Sequence, residues 1–255
     1  MNVIISKRTT RCKSKHRLTL FGLVLGVALA INPVRAWGTE PYSIEAVILK
    51  APAGLPTDML EDLDPKGVLL TADAEGLNQR ICEIFWVKAV AGRSAAPHGK
   101  LLYESLEPGA LLGIIHFFPG VDERYREDFN DQKLKPGYYT MRYAVLNNAH
   151  GKQADAAEFI FLSPARLDRD RKPVRNMDEL LRLSELASHT KQPAILGLAP
   201  ANLGLRRLPD AKTDDTGNCV LQVKLRIKRI RTDSPPEVVL ALIVVTPTKG
   251  GEDAS

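Results

Sequence analysis

The chain has 255 residues, 44% of them hydrophobic and 25% charged, with a formal net charge of +5. Residues 1–36 hold seven of its 35 Lys and Arg and none of its 30 Asp and Glu, so the remaining 219 residues carry 28 basic against 30 acidic side chains. The basicity belongs to the N-terminal segment, and nucleic-acid binding, which needs a basic surface to displace counterions, loses its compositional support.

That segment reads as a secretory signal. Lys7, Arg8, Arg11, Lys13, Lys15 and Arg17 precede an apolar run, Leu18–Ile31. Pro33 ends the run, and Val34-Arg35-Ala36 places small residues where a signal peptidase reads. The run is shorter than the roughly 20 residues of a bilayer span. The expected product starts at Trp37, is periplasmic or secreted, and has no membrane association after cleavage. Cys12 leaves with the signal. A chain of 219 residues suits one large or two small domains and buries a core without disulfides.

Tyr42–Lys50 is the first predicted strand, rich in β-branched and aliphatic residues. Residues 51–66 hold Pro52, Gly54, Pro56 and Pro65 and read as a loop with a helical turn at Asp58–Leu63. A short strand at Gly67–Leu70 and a strong one at Gln79–Val90 follow; the second is apolar on both faces, as a central strand is. Leu101–Leu106 and Ala110–Phe118 are two more, separated by a Glu107-Pro108-Gly109 turn. A charged stretch, Asp122–Lys135, ends at Pro136-Gly137. In the next strand Tyr139, Met141, Tyr143 and Val145 share the face predicted to fill a core. Tyr138, Thr140 and Arg142 take the other. Ala157–Leu162 returns as its hairpin partner.

Ser163–Arg175 is a connector. Asn176, with Glu179 at capping-box spacing, starts the one predicted helix, residues 176–188. Pro193–Leu208 is apolar but broken by Pro193, Gly197, Pro200 and Gly204, and reads as loop. Cys219–Ile230 alternates strictly, with Leu221, Val223, Leu225 and Ile227 on one face and Gln222, Lys224, Arg226 and Lys228 on the other. Glu237–Val245 is a buried strand, and residues 248–255 form a disordered tail.

Little of this carries chemistry. Cys82 and Cys219 both lie in strand-like runs; a Cys82–Cys219 disulfide and two buried thiols are equally compatible with the sequence. His98, His116, His150 and His189 show no metal-helix spacing, although His98 and His150 both lie in turns. The acids of 122–131 are the oxygen ligands calcium takes, but they lack a calcium loop's spacing and interleave with Arg124, Arg126 and Lys133. No Gly-x-Ser-x-Gly and no phosphate-cradling loop occurs. No cofactor or metal is implied, and no catalytic residue is singled out.

The stretch Leu134-Lys135-Pro136-Gly137-Tyr138-Tyr139-Thr140-Met141-Arg142-Tyr143 resembles the turn entering the sixth strand of fibronectin type III and related immunoglobulin-like modules. There a Tyr hydroxyl ties the corner to the backbone upstream. Together with Glu158–Ala165, Asp168, Leu183–Leu186, His189 and Gln192–Leu196, the chain from about residue 40 to 247 is similar to a family of uncharacterised secreted bacterial proteins. That resemblance implies an extracytoplasmic β-sandwich; it implies no particular activity and carries over no functional residue.

The expected fold is mainly β: an antiparallel immunoglobulin-like β-sandwich over 37–168, a connector with its helix over 169–218, and C-terminal strands of 219–247 packing on the sandwich. The expected function is a non-enzymatic binding or structural module of the cell envelope with an envelope or extracellular partner, Tyr138, Thr140 and Arg142 forming its candidate ligand face. The alternative is a secreted hydrolase acting on envelope or extracellular polymers.

Overall fold

The computed structural model describes residues 41–50, 55–74, 77–93, 101–147, 156–228 and 236–246. The expected signal segment, the C-terminal tail, His98 and His150 lie outside the described residues. Described strands are β1 (Tyr42–Ile48), β2 (Leu63–Ala74), β3 (Leu77–Val87), β4 (Val90–Ala91), β5 (Leu111–Phe117), β6 (Gly137–Asn147), β7 (Ala156–Pro164), β8 (Ile195–Ala199), β9 (Asp210–Thr213), β10 (Cys219–Lys228) and β11 (Glu237–Val245). Two helices accompany them, α1 (Thr57–Asp62) and α2 (Met177–Ser188). None of the described helices is long and apolar enough to cross a membrane.

The chain is mainly β and antiparallel, as expected, but the strands form one sheet. Its order is β1-β2-β3-β5-β6-β7-β8-β11-β10-β4, with β9 also pairing β10. Every step from β1 to β10 is antiparallel; only the two-residue β4 pairs β10 in parallel. Where a sandwich presents two facing sheets, this path curls on itself and comes back close to β1. The C-terminal strands expected to pack on the rest, β10 and β11, instead continue the sheet through β8.

The sequence alternation sets which residues face inward. Tyr139, Met141 and Tyr143 lie opposite Pro164, Leu162 and Ile160 of β7 and are buried; Val145 is half-buried at the strand end. Leu221, Val223, Leu225 and Ile227 do the same from β10. Each fully buried aliphatic or aromatic side chain of this kind stabilises the fold by about 1.5–3 kcal/mol. On the outer face, Ala144, Phe161 and Ile195 make a second cluster with Leu180 of α2 and Val174 of the connector. The Asn176 side chain accepts from the Asp178 N–H at 3.0 Å and so caps α2.

Three segments differ from the sequence expectation. Leu101–Leu106 is turn, not strand, because carboxylates take its amides: Leu102 and Tyr103 N–H donate to Glu158 (2.5 and 2.8 Å), and Leu101 N–H donates to Glu104 (3.1 Å). The segment inserts Tyr103, whose hydroxyl donates to Ala199 O at 2.6 Å and accepts from Ala241 N–H at 2.9 Å, joining β8 to β11. Pro193–Leu208, read as loop, contains β8, a strand between β7 and β11. Its neighbours make it a strand. Gly197 in its middle leaves room for the Phe129 ring, which would lie 2.7 Å from an added Cβ. β9 was also unforeseen.

Gly109 shows why the Pro108-Gly109 turn is needed. Its φ is +81°, and an added Cβ would sit 2.0 Å from Val174 O. Only glycine allows both that conformation and that approach.

Candidate binding site: the seam of the sheet

The seam lies where β10 comes back towards β1. On the edge away from β11, β10 is paired at Cys219–Gln222 by β9 and at Ile227–Lys228 by β4. Residues 223–226 between them have no strand partner on that edge among the described residues. β1, at the end of the sheet order, pairs only β2. A groove of about 620 Å³ occupies the gap, bounded by Pro209 beside β9, by Ile44–Ala46 of β1, by Trp86–Lys88 below, and by Val223–Arg226 of β10.

Its chemistry is divided. The inward wall is apolar: Ile44, Val68, Trp86, Val223 and Leu225. Trp86 is buried, and its indole N–H has no hydrogen-bond acceptor among the described residues. A buried donor left unmet costs about 1–3 kcal/mol. The rim carries Lys66, Lys88, Lys224 and Arg226 against Glu45 and Asp64. Lys224 pairs with Glu237 at 3.1 Å, and Lys88 Nζ donates to Glu61 O at 2.5 Å. Lys66 and Arg226 side chains have no ion-pair partner among the described residues. Among the described residues no Ser, His or Cys lines the groove.

The residues singled out from sequence lie elsewhere. Thr140 and Arg142 are fully buried, and Tyr138 is half-buried; together they do not form an open face. The connector, not the C-terminal strands, covers Thr140 and Arg142. All five Arg142 N–H donors are used: Nε and Nη2 on Asp168 (2.6 and 2.8 Å), Nη1 on Gly109 O and Lys172 O (2.9 and 3.1 Å), and Nη2 also on Asp170 O. Thr140 Oγ1 donates to the same Asp168 at 2.6 Å. Tyr139, inside, donates its hydroxyl to Lys135 O at 2.7 Å.

Cys82 and Cys219 are both fully buried, and no disulfide joins them in this structure. Burial, then the neighbouring Cys219, push the Cys82 thiol well above its usual value, which removes it as a thiolate nucleophile at neutral pH. The charged loop satisfies itself. Asp128 accepts from the N–H of Asn130, Gln132 and Ile195 and from the Gln132 amide, all at 2.8–3.0 Å; Glu123 pairs with Lys133 at 2.5 Å. No metal-ligand cluster is present among the described residues.

On the outer face Glu83, His116 and Tyr138 stand in register across β3, β5 and β6. His116 stacks on Tyr138 at 4.0 Å and lies 3.7 Å from Glu83. Burial lowers its pKa, more than the Glu83 charge raises it. This is packing of a half-buried imidazole.

No family model, curated protein or solved structure matches this chain, so what the seam does is read from its geometry. Sequence reasoning placed Lys224 and Arg226 on a wetted face, which is where they are. Nothing in the alternation marks their backbone as lacking a partner, since pairing depends on where β9 stops and β4 begins.

Proposed function

We propose that the protein is a non-enzymatic, extracytoplasmic binding module and that the seam groove is its binding site. The observation that carries this is the four-residue break in β10 pairing over an apolar wall. Among the described residues the break leaves the backbone groups of Lys224 and Arg226 without a strand partner beside buried hydrophobic surface, which is how a site for another molecule differs from a finished core. A hydrolase of envelope polymers would need converging carboxylates or a nucleophile with its base; among the described residues Glu45 and Asp64 are the groove's acids, and no Ser, Cys or His lines it. The Tyr139–Lys135 corner supports an immunoglobulin-like reading of the middle strands, and the basic, apolar, small-residue succession of residues 1–36 supports export.

The probe for the site is 1-anilinonaphthalene-8-sulfonate, an apolar anion matched to an apolar wall with a cationic rim. It binds the native protein at one site, and Ala46→Trp, which fills the groove from an exposed position, abolishes the fluorescence while the thermal midpoint holds. Equal fluorescence from the variant sinks the assignment. For export, N-terminal sequencing of the secreted protein starts at Trp37; a soluble cytoplasmic chain retaining Met1 overturns it.

A further inference from the structure

Among the described residues the seam has the form of a strand position without its strand. Resting on the binding assignment above, we infer that its occupant is a short extended peptide, of alternating acidic and apolar residues, which adds as an antiparallel strand between β1 and β10.

The backbone directions decide this. In β1, Leu49 N–H donates to Pro65 O and Pro41 O accepts from Asp73 N–H, so odd-numbered residues bond to β2. By the alternation of an antiparallel ladder, Ile44 and Ala46 turn their N–H and C=O away from β2, towards the groove they line. In β10, Ile227 N–H donates to Pro236 O on the β11 side, while Lys228 O accepts from Gly92 N–H on the other. Lys224 and Arg226 therefore present their N–H and C=O to the groove from the opposite wall. The eight antiparallel steps from β1 to β10 make these two strands run in the same sense, so one incoming strand is antiparallel to both. β9 already occupies the same row of the sheet beside Cys219–Gln222; the groove is the row's continuation past Pro209. Four residues of β10 span about 14 Å.

The side chains then set the sequence it takes. Lys224 and Arg226 point outward and are exposed, whereas Ile44 and Ala46 lie on the inward face, opposite Leu70 and Val68. Directly paired residues put their side chains on the same face. Residues of the guest that bond to β10 thus stand beside Lys224 and Arg226 and are acidic; those between them bond to β1, face Trp86 and Val68, and are apolar. The rim's excess of cations favours the same charge.

The test uses an N-acetylated, C-amidated Glu-Val-Glu-Val-Glu peptide and the whole protein, read by fluorescence anisotropy and by amide NMR. Expected are shifts at Ile44, Ala46, Lys224 and Arg226, and an affinity that falls with salt. Lys224→Gln with Arg226→Gln weakens it about three- to thirtyfold, and N-methylating a Glu amide that faces β10 weakens it about tenfold. Ala46→Trp removes it. Equal binding by a Lys-Val-Lys-Val-Lys peptide, by the N-methylated peptide or by the Gln variant overturns the strand addition. If the naphthalene sulfonate is displaced by dodecanoate but by no peptide, the groove binds an amphiphilic anion; the peptide inference fails while the binding assignment stands. If Ala46→Trp leaves the binding of both probes unchanged, the binding assignment and the peptide inference both fail, and a doubled mass that this variant abolishes makes the occupant a second copy of the chain.

Discussion

The outer face of β6 and the far edge of β10 both began as polar stretches beside hydrophobic ones, and the fold treats them oppositely. Over β6 the connector folds back so that Arg142 meets Asp168, Thr140 shares the same carboxylate, and five donors find five acceptors. Along β10 the pairing stops short: β9 begins only at Asp210, β4 holds two residues, and among the described residues the row between has no strand. Buried charge that the protein completes for itself is architecture. Backbone beside buried apolar wall that it does not complete is where another molecule fits.

The largest effect that checks this contrast is Arg142→Leu. Removing one partner leaves Asp168 buried without a cation, a loss of about 3–5 kcal/mol, to be read from urea denaturation; Asp168→Leu added to it recovers part of that loss. A single-variant loss below about 1 kcal/mol, the range of an exposed ion pair, would make the connector a loose cover. Next is Tyr103→Phe. It strips Ala241 N–H and Ala199 O of their shared partner between β8 and β11, for about 1–3 kcal/mol and with faster amide exchange at Ala241. Unchanged exchange there would show the hydroxyl to be dispensable.

A smaller effect is pH-dependent. Burial holds the His116 imidazole below its ordinary value. As pH falls through about 6.5 the unfolded chain takes up the proton first, so stability declines from there down to the depressed folded value and is unaffected above it. His116→Gln flattens that decline, and an NMR midpoint for His116 at or above about 6.5 contradicts it. The smallest is the stability of the Lys224→Gln, Arg226→Gln variant, which shifts by no more than about 0.5 kcal/mol, because the Lys224–Glu237 pair is exposed and Arg226 has no ion-pair partner among the described residues. A large loss would move the seam to the architectural side of the comparison.

Much of the fold was legible. The alternation of β10 and the bounds of β11 match the sequence reading, as do the inward face of β6 and the Asn176 cap. Period-two patterning and capping are local, and burial on one face enforces them. What failed was non-local. Leu101–Leu106 has a strand's composition, but Glu158, some 55 residues away, takes its amides. β8 has a loop's composition, but β7 and β11 each need an edge covered. The candidate face Tyr138, Thr140 and Arg142 was placed correctly on the outside of the sheet, yet alternation cannot say what covers an outside.

By itself the sequence determined a mainly β chain, the inward residues of its longest strands and the place of helix α2, because these follow from side-chain period and terminal hydrogen bonding within a few residues. The tertiary structure alone decided that one sheet curls back on itself, that Arg142 is sealed, and that Lys224 and Arg226 keep an open backbone edge facing Ile44 and Ala46. Those depend on which distant strand arrives beside which, and where it stops; hydrogen-bond partners across a sheet leave no mark on the residues that lack them.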